Sequence, residues 1–93
     1  MNTLDTGWKS FLKLCLAIQE ERTLALFLEL MLTPEEKQNL ATRYLIIQAL
    51  LKEEQTQREI AKDLNVSIAK ITRGSNELKK LDKRLLELLK SRL

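Results

Sequence analysis

The chain contains no histidine and a single cysteine, Cys15. Imidazole general bases and histidine-containing metal sites are thereby excluded, and no disulfide can close within the chain. Proline occurs once and glycine twice in 93 residues, and aromatic side chains make up 4%. So few breakers favour helices over strands. Long apolar runs are missing too: the stretch from Leu24 to Leu32 is interrupted by Glu29 and falls far below the roughly 18 residues of a membrane span. No charged segment followed by an apolar run opens the sequence, so a secretory signal is not expected and the chain reads as cytoplasmic.

What remains is 44% hydrophobic residues, many of them Leu, and 31% charged ones. That mixture predicts an all-α fold. A chain of this size supports one domain whose core is marginal unless it finds a partner, so self-association is the starting expectation. The net charge of +3 is unevenly placed. Residues 1–54 carry six Lys/Arg against eight Asp/Glu, a net of −2, whereas residues 55–93 carry ten against five, a net of +5. A basic segment behind a mildly acidic one points to an anionic partner, nucleic acid first, although a solvated Lys-rich surface has the same signature.

Periodicity and capping signals divide the chain into six helices. The first is predicted from about Asp5 to Glu21, with Trp8, Phe11, Leu12, Cys15, Leu16 and Ile18 as its apolar stripe. Thr23 is placed to cap a second helix through Leu30, apolar on nearly every side. Such a helix is most easily buried between two intertwined subunits. Thr33-Pro34-Glu35-Glu36 joins a cap, a proline at the first helical position and a capping box, opening a helix from Pro34 to about Lys52. Its predicted packing stripe is Leu40, Tyr44, Ile47 and Leu51, and Arg43 sits among these apolar neighbours, either extending to solvent or serving a site.

Thr56-Gln57-Arg58-Glu59 repeats the capping-box spacing before a short helix to about Leu64. After the break Asn65-Val66-Ser67, Ser67 is placed to cap a helix from Ile68 to about Lys80. Asp82 can cap a last helix, Lys83 to Arg92. Two helices joined by a three-residue turn in the basic half match a helix-turn-helix, with an αα-hairpin of no DNA role as the alternative. Ile60 and Leu64 point inward, Ala61 sits at the crossing, Val66 plugs the turn, and Ile68, Ile71, Ser75 and Leu78 share the inner face.

Outside that face stand Ala69, Lys70 and Thr72, whose methyl, cation and hydroxyl suit base edges. Gln57 and Arg58, opening the preceding helix, suit phosphates, and Lys79 and Lys80 add nonspecific attraction. With Ser67 and Ile68 at the helix start, the predicted DNA-contacting set is Gln57, Arg58, Ser67, Ile68, Ala69, Lys70, Thr72 and Lys79. Gly74 is an oddity, because glycine inside a helix costs on the order of 1 kcal/mol relative to alanine. Either another helix packs closely against it or a ligand does, and Arg73 beside it offers a fork of donors for a carboxylate.

The segment Leu30 to Lys79 resembles the tryptophan repressor family. The resemblance rests on LMLTPEE at Leu30 to Glu36, TQRE at Thr56 to Glu59 and ITRGSN at Ile71 to Asn76, with Trp8 in register in the first helix. It implies an intertwined homodimer that takes L-tryptophan as corepressor, with no metal, and then binds a palindromic double-stranded operator of tryptophan biosynthesis or uptake genes. By the same resemblance, Arg43 and Arg73 sandwich the indole and Arg73 meets the ligand carboxylate. Thr33 lies near that carboxylate, Leu30 and Leu32 turn backbone carbonyls to the ammonium, and Gly74 gives the indole room. Glu77 stands at a pocket position where the family has a small residue, Lys70 where it can have a small hydroxyl, and Ala61 where a Lys can sit.

The organisation expected is therefore a single domain over residues 1–93. Residues 1–54 form the dimerisation core, 55–80 the reading head and 81–93 a C-terminal core helix. Two other functions stay open at this point: a regulator of the same fold that does not use tryptophan, and a helical protein-interaction module. No nucleophile–base pair or metal-ligand cluster is visible, so an enzyme is not expected.

Overall fold

The computed structural model describes residues 2–93, which form six helices and, among the described residues, no strand. The helices are α1 (Thr3–Ala17), α2 (Glu21–Met31), α3 (Pro34–Lys52), α4 (Gln57–Leu64), α5 (Ile68–Lys79) and α6 (Lys83–Arg92). They group into two compact units, residues 1–37 and 38–93.

In the first unit, α1 starts two residues before the expected Asp5, because the Asn2 side chain accepts the Asp5 N–H at 2.8 Å and caps the helix there. It also ends earlier than expected, with Ile18 in extended conformation. Glu21, expected at the end of the first helix, instead opens α2 behind Glu20, which makes no side-chain cap bond. Thr23 therefore lies inside α2 and is not its cap. Trp8 stacks on Phe11 with ring centroids 5.6 Å apart, and Phe11 meets Phe27 of α2 at the same separation. Yet neither helix contains a buried residue. Trp8 is 60% exposed, and Leu4, Leu16, Leu26 and Leu30 are more than half exposed.

The second unit holds the core, formed by Ile46 of α3, Ile60 and Ala61 of α4 and Ile71 of α5, with Ala49, Leu50, Leu64 and Val66 packed around it. The predicted stripe on α3 is displaced. Leu40 and Tyr44 are exposed, and the buried residue is Ile46. Because α3 carries apolar residues around much of its circumference, periodicity did not single out the face that α5 covers.

The α4–α5 corner follows its sequence signals closely. Thr56 and Glu59 exchange both bonds of a capping box, at 3.1 and 3.2 Å. Asn65 closes α4 in the left-handed conformation, φ 54° and ψ 49°, which Asn tolerates better than most residues. Val66 N–H then donates to Ala61 C=O at 3.0 Å, and Ser67 caps α5. Ala61 is buried, 7% exposed, in the core cluster with Ile60 and Ile71. One member of the predicted inner face departs from it: Ile68, in the first turn of α5, is 46% exposed, while Ile71 is fully buried. The inner face thus begins one turn later than expected.

Candidate ligand cleft and nucleic-acid interface

Helices α3 and α5 bound a cleft of ≈ 630 Å³ lined by Asn39, Thr42, Arg43, Ile46 and Ile47 on one side and Lys70, Arg73, Gly74 and Glu77 on the other. That volume is in the range of small-molecule sites. Arg43, Arg73, Gly74 and Glu77, singled out from the sequence, thus line one cavity. Lys70, expected on the DNA-contacting edge, lines it as well, a dual position that sequence reasoning missed. Lys70, Arg73 and Glu77 recur at helical spacing, so one stripe of α5 presents all three to the cleft.

Gly74 has a packing reason to be glycine. A Cβ built on it meets Ile46 Cγ2 at 3.1 Å, Leu50 Cδ1 at 3.4 Å and Ile47 Cδ1 at 3.8 Å. The missing side chain lets α5 approach α3 and leaves the apolar floor of the cleft to Ile46 and Ile47. Above that floor the charges are Arg43, Lys70, Arg73 and Glu77, three cations and one anion. Lys37 pairs with Glu29 at 2.9 Å, whereas none of the four cleft charges has an ion-pair partner among the described residues.

Leu30, Leu32 and Thr33 belong to the first unit. Leu30 lies at the exposed end of α2, and Leu32 is its C-cap. Proline has no N–H, so Pro34 cannot donate to the Leu30 carbonyl four residues before it. The Glu36 N–H goes to Thr33 Oγ1 at 3.1 Å instead of to the Leu32 carbonyl. Both carbonyls are thus spared by the helix start that follows them. Thr33 N–H donates to Glu36 Oε1 at 2.9 Å, completing the predicted capping box. This backbone bond first, and the Thr33 side chain second, hold the Glu36 carboxyl below the ordinary glutamate value.

The expected reading edge is also partly assembled. Thr72 Oγ1 donates to Gln57 Oε1 at 2.9 Å, tying the second turn of α5 to the first residue of α4. No sequence signal announced this bond, since its partners lie 15 residues apart and on different helices. Arg58, Ser67, Ile68, Ala69 and Lys70 are exposed around these two helix starts. Lys79 stands apart from them in the last turn of α5, where it lines a smaller cavity of ≈ 240 Å³ with Glu53 and with Leu86 and Lys90 of α6. From Thr72 to Lys79 the helix rises by about 10 Å. Among the described residues no group of three His, Cys, Asp or Glu side chains is arranged to hold a metal ion. No described helix is long and apolar enough to cross a membrane.

Comparison with known proteins identifies the family. The family model for the Trp repressor protein matches residues 6–93. A Trp operon repressor homolog of Chlamydia caviae is 49% identical over 87 residues, covering 94% of this chain and 86% of the relative. One from Chlamydia trachomatis serovar D is 48% identical over 92 residues, covering 99% and 98%. A more distant one from Vibrio vulnificus is 42% identical over 74 residues, covering 80% and 72%. With the helix-turn-helix of α4 and α5 in place and the match running through all six helices, the chain belongs to the Trp repressor family of DNA-binding transcriptional regulators.

Proposed function

We infer that the protein is a tryptophan-dependent repressor: L-tryptophan enters the cleft as corepressor, and the loaded protein binds a palindromic operator of tryptophan biosynthesis or uptake genes. The observation that carries this reading is that α5 serves two surfaces at once. Its Arg73, Gly74 and Glu77 line the cleft, while its Ala69 and Thr72 stand on the exposed edge beside Gln57. A ligand in the cleft therefore acts directly on the helix that reads DNA.

The chemistry fits the ligand. Guanidinium groups of Arg43 and Arg73 on the faces of an indole supply stacking and cation–π attraction, of order 1–2 kcal/mol when desolvated. Arg73 also pairs with the carboxylate, near which the Thr33 hydroxyl is assigned. The Leu30 and Leu32 carbonyls accept from the ammonium. Ile46 and Ile47 supply an apolar floor for the ring.

Two copies act together. The exposed leucines of α1 and α2 leave an apolar surface that a second chain covers, in keeping with an intertwined homodimer. Residues 1–54 supply that dimer's core, residues 55–80 its reading heads and residues 81–93 a helix returning to the core. A helix-turn-helix dimer needs its two reading helices one DNA turn apart, about 34 Å, and the ligand favours that arrangement over those of the free protein. Gln57, Arg58 and Ser67 then contact phosphates and fix register, Lys79 adds nonspecific attraction to the DNA, and Ile68, Ala69, Lys70 and Thr72 face bases. This assignment places the protein in the cytoplasm with its operator.

The test is binding of a trp-type palindromic duplex at fixed salt with and without L-tryptophan. A marked gain in affinity on adding the amino acid is expected, and Arg73→Ala should abolish the gain. Equal affinity in both conditions overturns the proposal.

A further inference from the structure

Glu77 places a carboxylate among the cations of the cleft, and an indole ring has no charged group that would pair with it. Arg73 and Glu77 lie one helical turn apart on α5, which separates them by about 6 Å of rise. They make no ion pair with each other. The order Arg before Glu is the weaker one for an intrahelical pair, so their own helix does little to hold them together. Both line the same cleft, with Arg43 across from them on α3 and Lys70 two turns before Glu77.

An α-amino acid carries its two opposite charges on one carbon. A ligand whose carboxylate meets Arg73 therefore brings its ammonium to Glu77 within a single turn of helix. We propose that Glu77 makes the cleft selective for indole ligands that carry an ammonium group, by accepting from that ammonium and by repelling ligands that bring only a carboxylate. This rests on the cleft being the site of an indole amino acid. Selectivity of this kind comes as much from the repulsion as from the attraction: an indole acid without the amine satisfies the cations but leaves two carboxylates facing each other. A small uncharged residue at position 77 imposes no such penalty.

The test is calorimetric binding of L-tryptophan and of indole-3-propionate, which lacks the amine, to the full chain with Glu77 and to Glu77→Gln and Glu77→Asp. Glu77 is exposed, so these variants are expected to fold, and circular dichroism with thermal melting checks it. The expected result is preference for tryptophan in the parent chain, loss of about tenfold or more in that preference in Glu77→Gln, and its retention in Glu77→Asp. An unchanged ratio of the two affinities in Glu77→Gln overturns the role of Glu77 while leaving the cleft assignment standing. Failure of both indole ligands to bind the parent chain removes the cleft assignment itself, and the inference with it.

Discussion

Replacing Gly74 with alanine sets two opposed effects against each other, and the structure decides their sign. In an exposed helix interior the change stabilises by about 1 kcal/mol, because alanine loses less backbone freedom on folding. Here the new methyl meets Ile46 Cγ2 at 3.1 Å and Leu50 Cδ1 at 3.4 Å. Leu50 can yield by rotating a flexible end. Ile46 cannot: it is β-branched, 4% exposed, and clustered with Ile60 and Ile71, so its branch methyl moves only if α3 moves. Overpacking of this kind costs about 1–3 kcal/mol. Taking the middle of that range, Gly74→Ala destabilises by about 1 kcal/mol net. The assay is urea unfolding at fixed protein concentration, which holds any dimerisation contribution constant, with the midpoint falling at unchanged slope. A midpoint that rises by the equivalent of about 1 kcal/mol refutes the reasoning, because it means that the α3–α5 contact gives way freely.

Three further outcomes follow from the caps and from the edge of α5. Thr56→Ala removes the cap bond to the Glu59 N–H and destabilises by about 1 kcal/mol, read from the same unfolding curves, with faster amide exchange in the first turn of α4. Glu36 titrates below an ordinary glutamate because Thr33 favours its ionised form; its contribution to stability is present above the unfolded-state value and is lost as pH falls through the folded one. Carbon-detected NMR titration of Glu36 checks the direction, and Thr33→Val should shift the titration upward. Gln57 and Thr72 share a hydrogen bond, so Gln57→Ala and Thr72→Val should cost less together than the sum of their separate losses in duplex affinity, whereas strict additivity excludes a shared role.

How far the chain could be read in advance depended on whether a feature was local. Thr33 with Glu36, Thr56 with Glu59, Ser67 and Asp82 each announce a helix start within four residues, and the helices begin where those signals stand. The start of α2 was misplaced because Glu20 offers no capping bond, whereas Thr23, a good cap by type, sits inside the helix. The α3 stripe was misjudged for a different reason: its apolar residues do not cluster on one face, so only the approach of α5 at Gly74 decides that Ile46 goes inside. Arg43 and Gly74 stand out as departures from what a plain helix wants, Arg73 is marked only as the neighbour of Gly74 and Glu77 only by the family resemblance, and all four line a common cleft. Lys70, Asn39 and Thr42 carried no such mark. Their place at the cleft is a property of how α3 and α5 cross, as the Gln57–Thr72 bond is a property of the α4–α5 corner.

The central claim is that one helix couples a ligand cleft to a DNA-reading edge, and coupling between two binding equilibria is reciprocal. The most direct measurement is the affinity for L-tryptophan, by calorimetry, with and without a saturating operator duplex at constant salt. If tryptophan strengthens operator binding by a given factor, the duplex must strengthen tryptophan binding by that same factor. An affinity for tryptophan that is indifferent to the duplex contradicts the account.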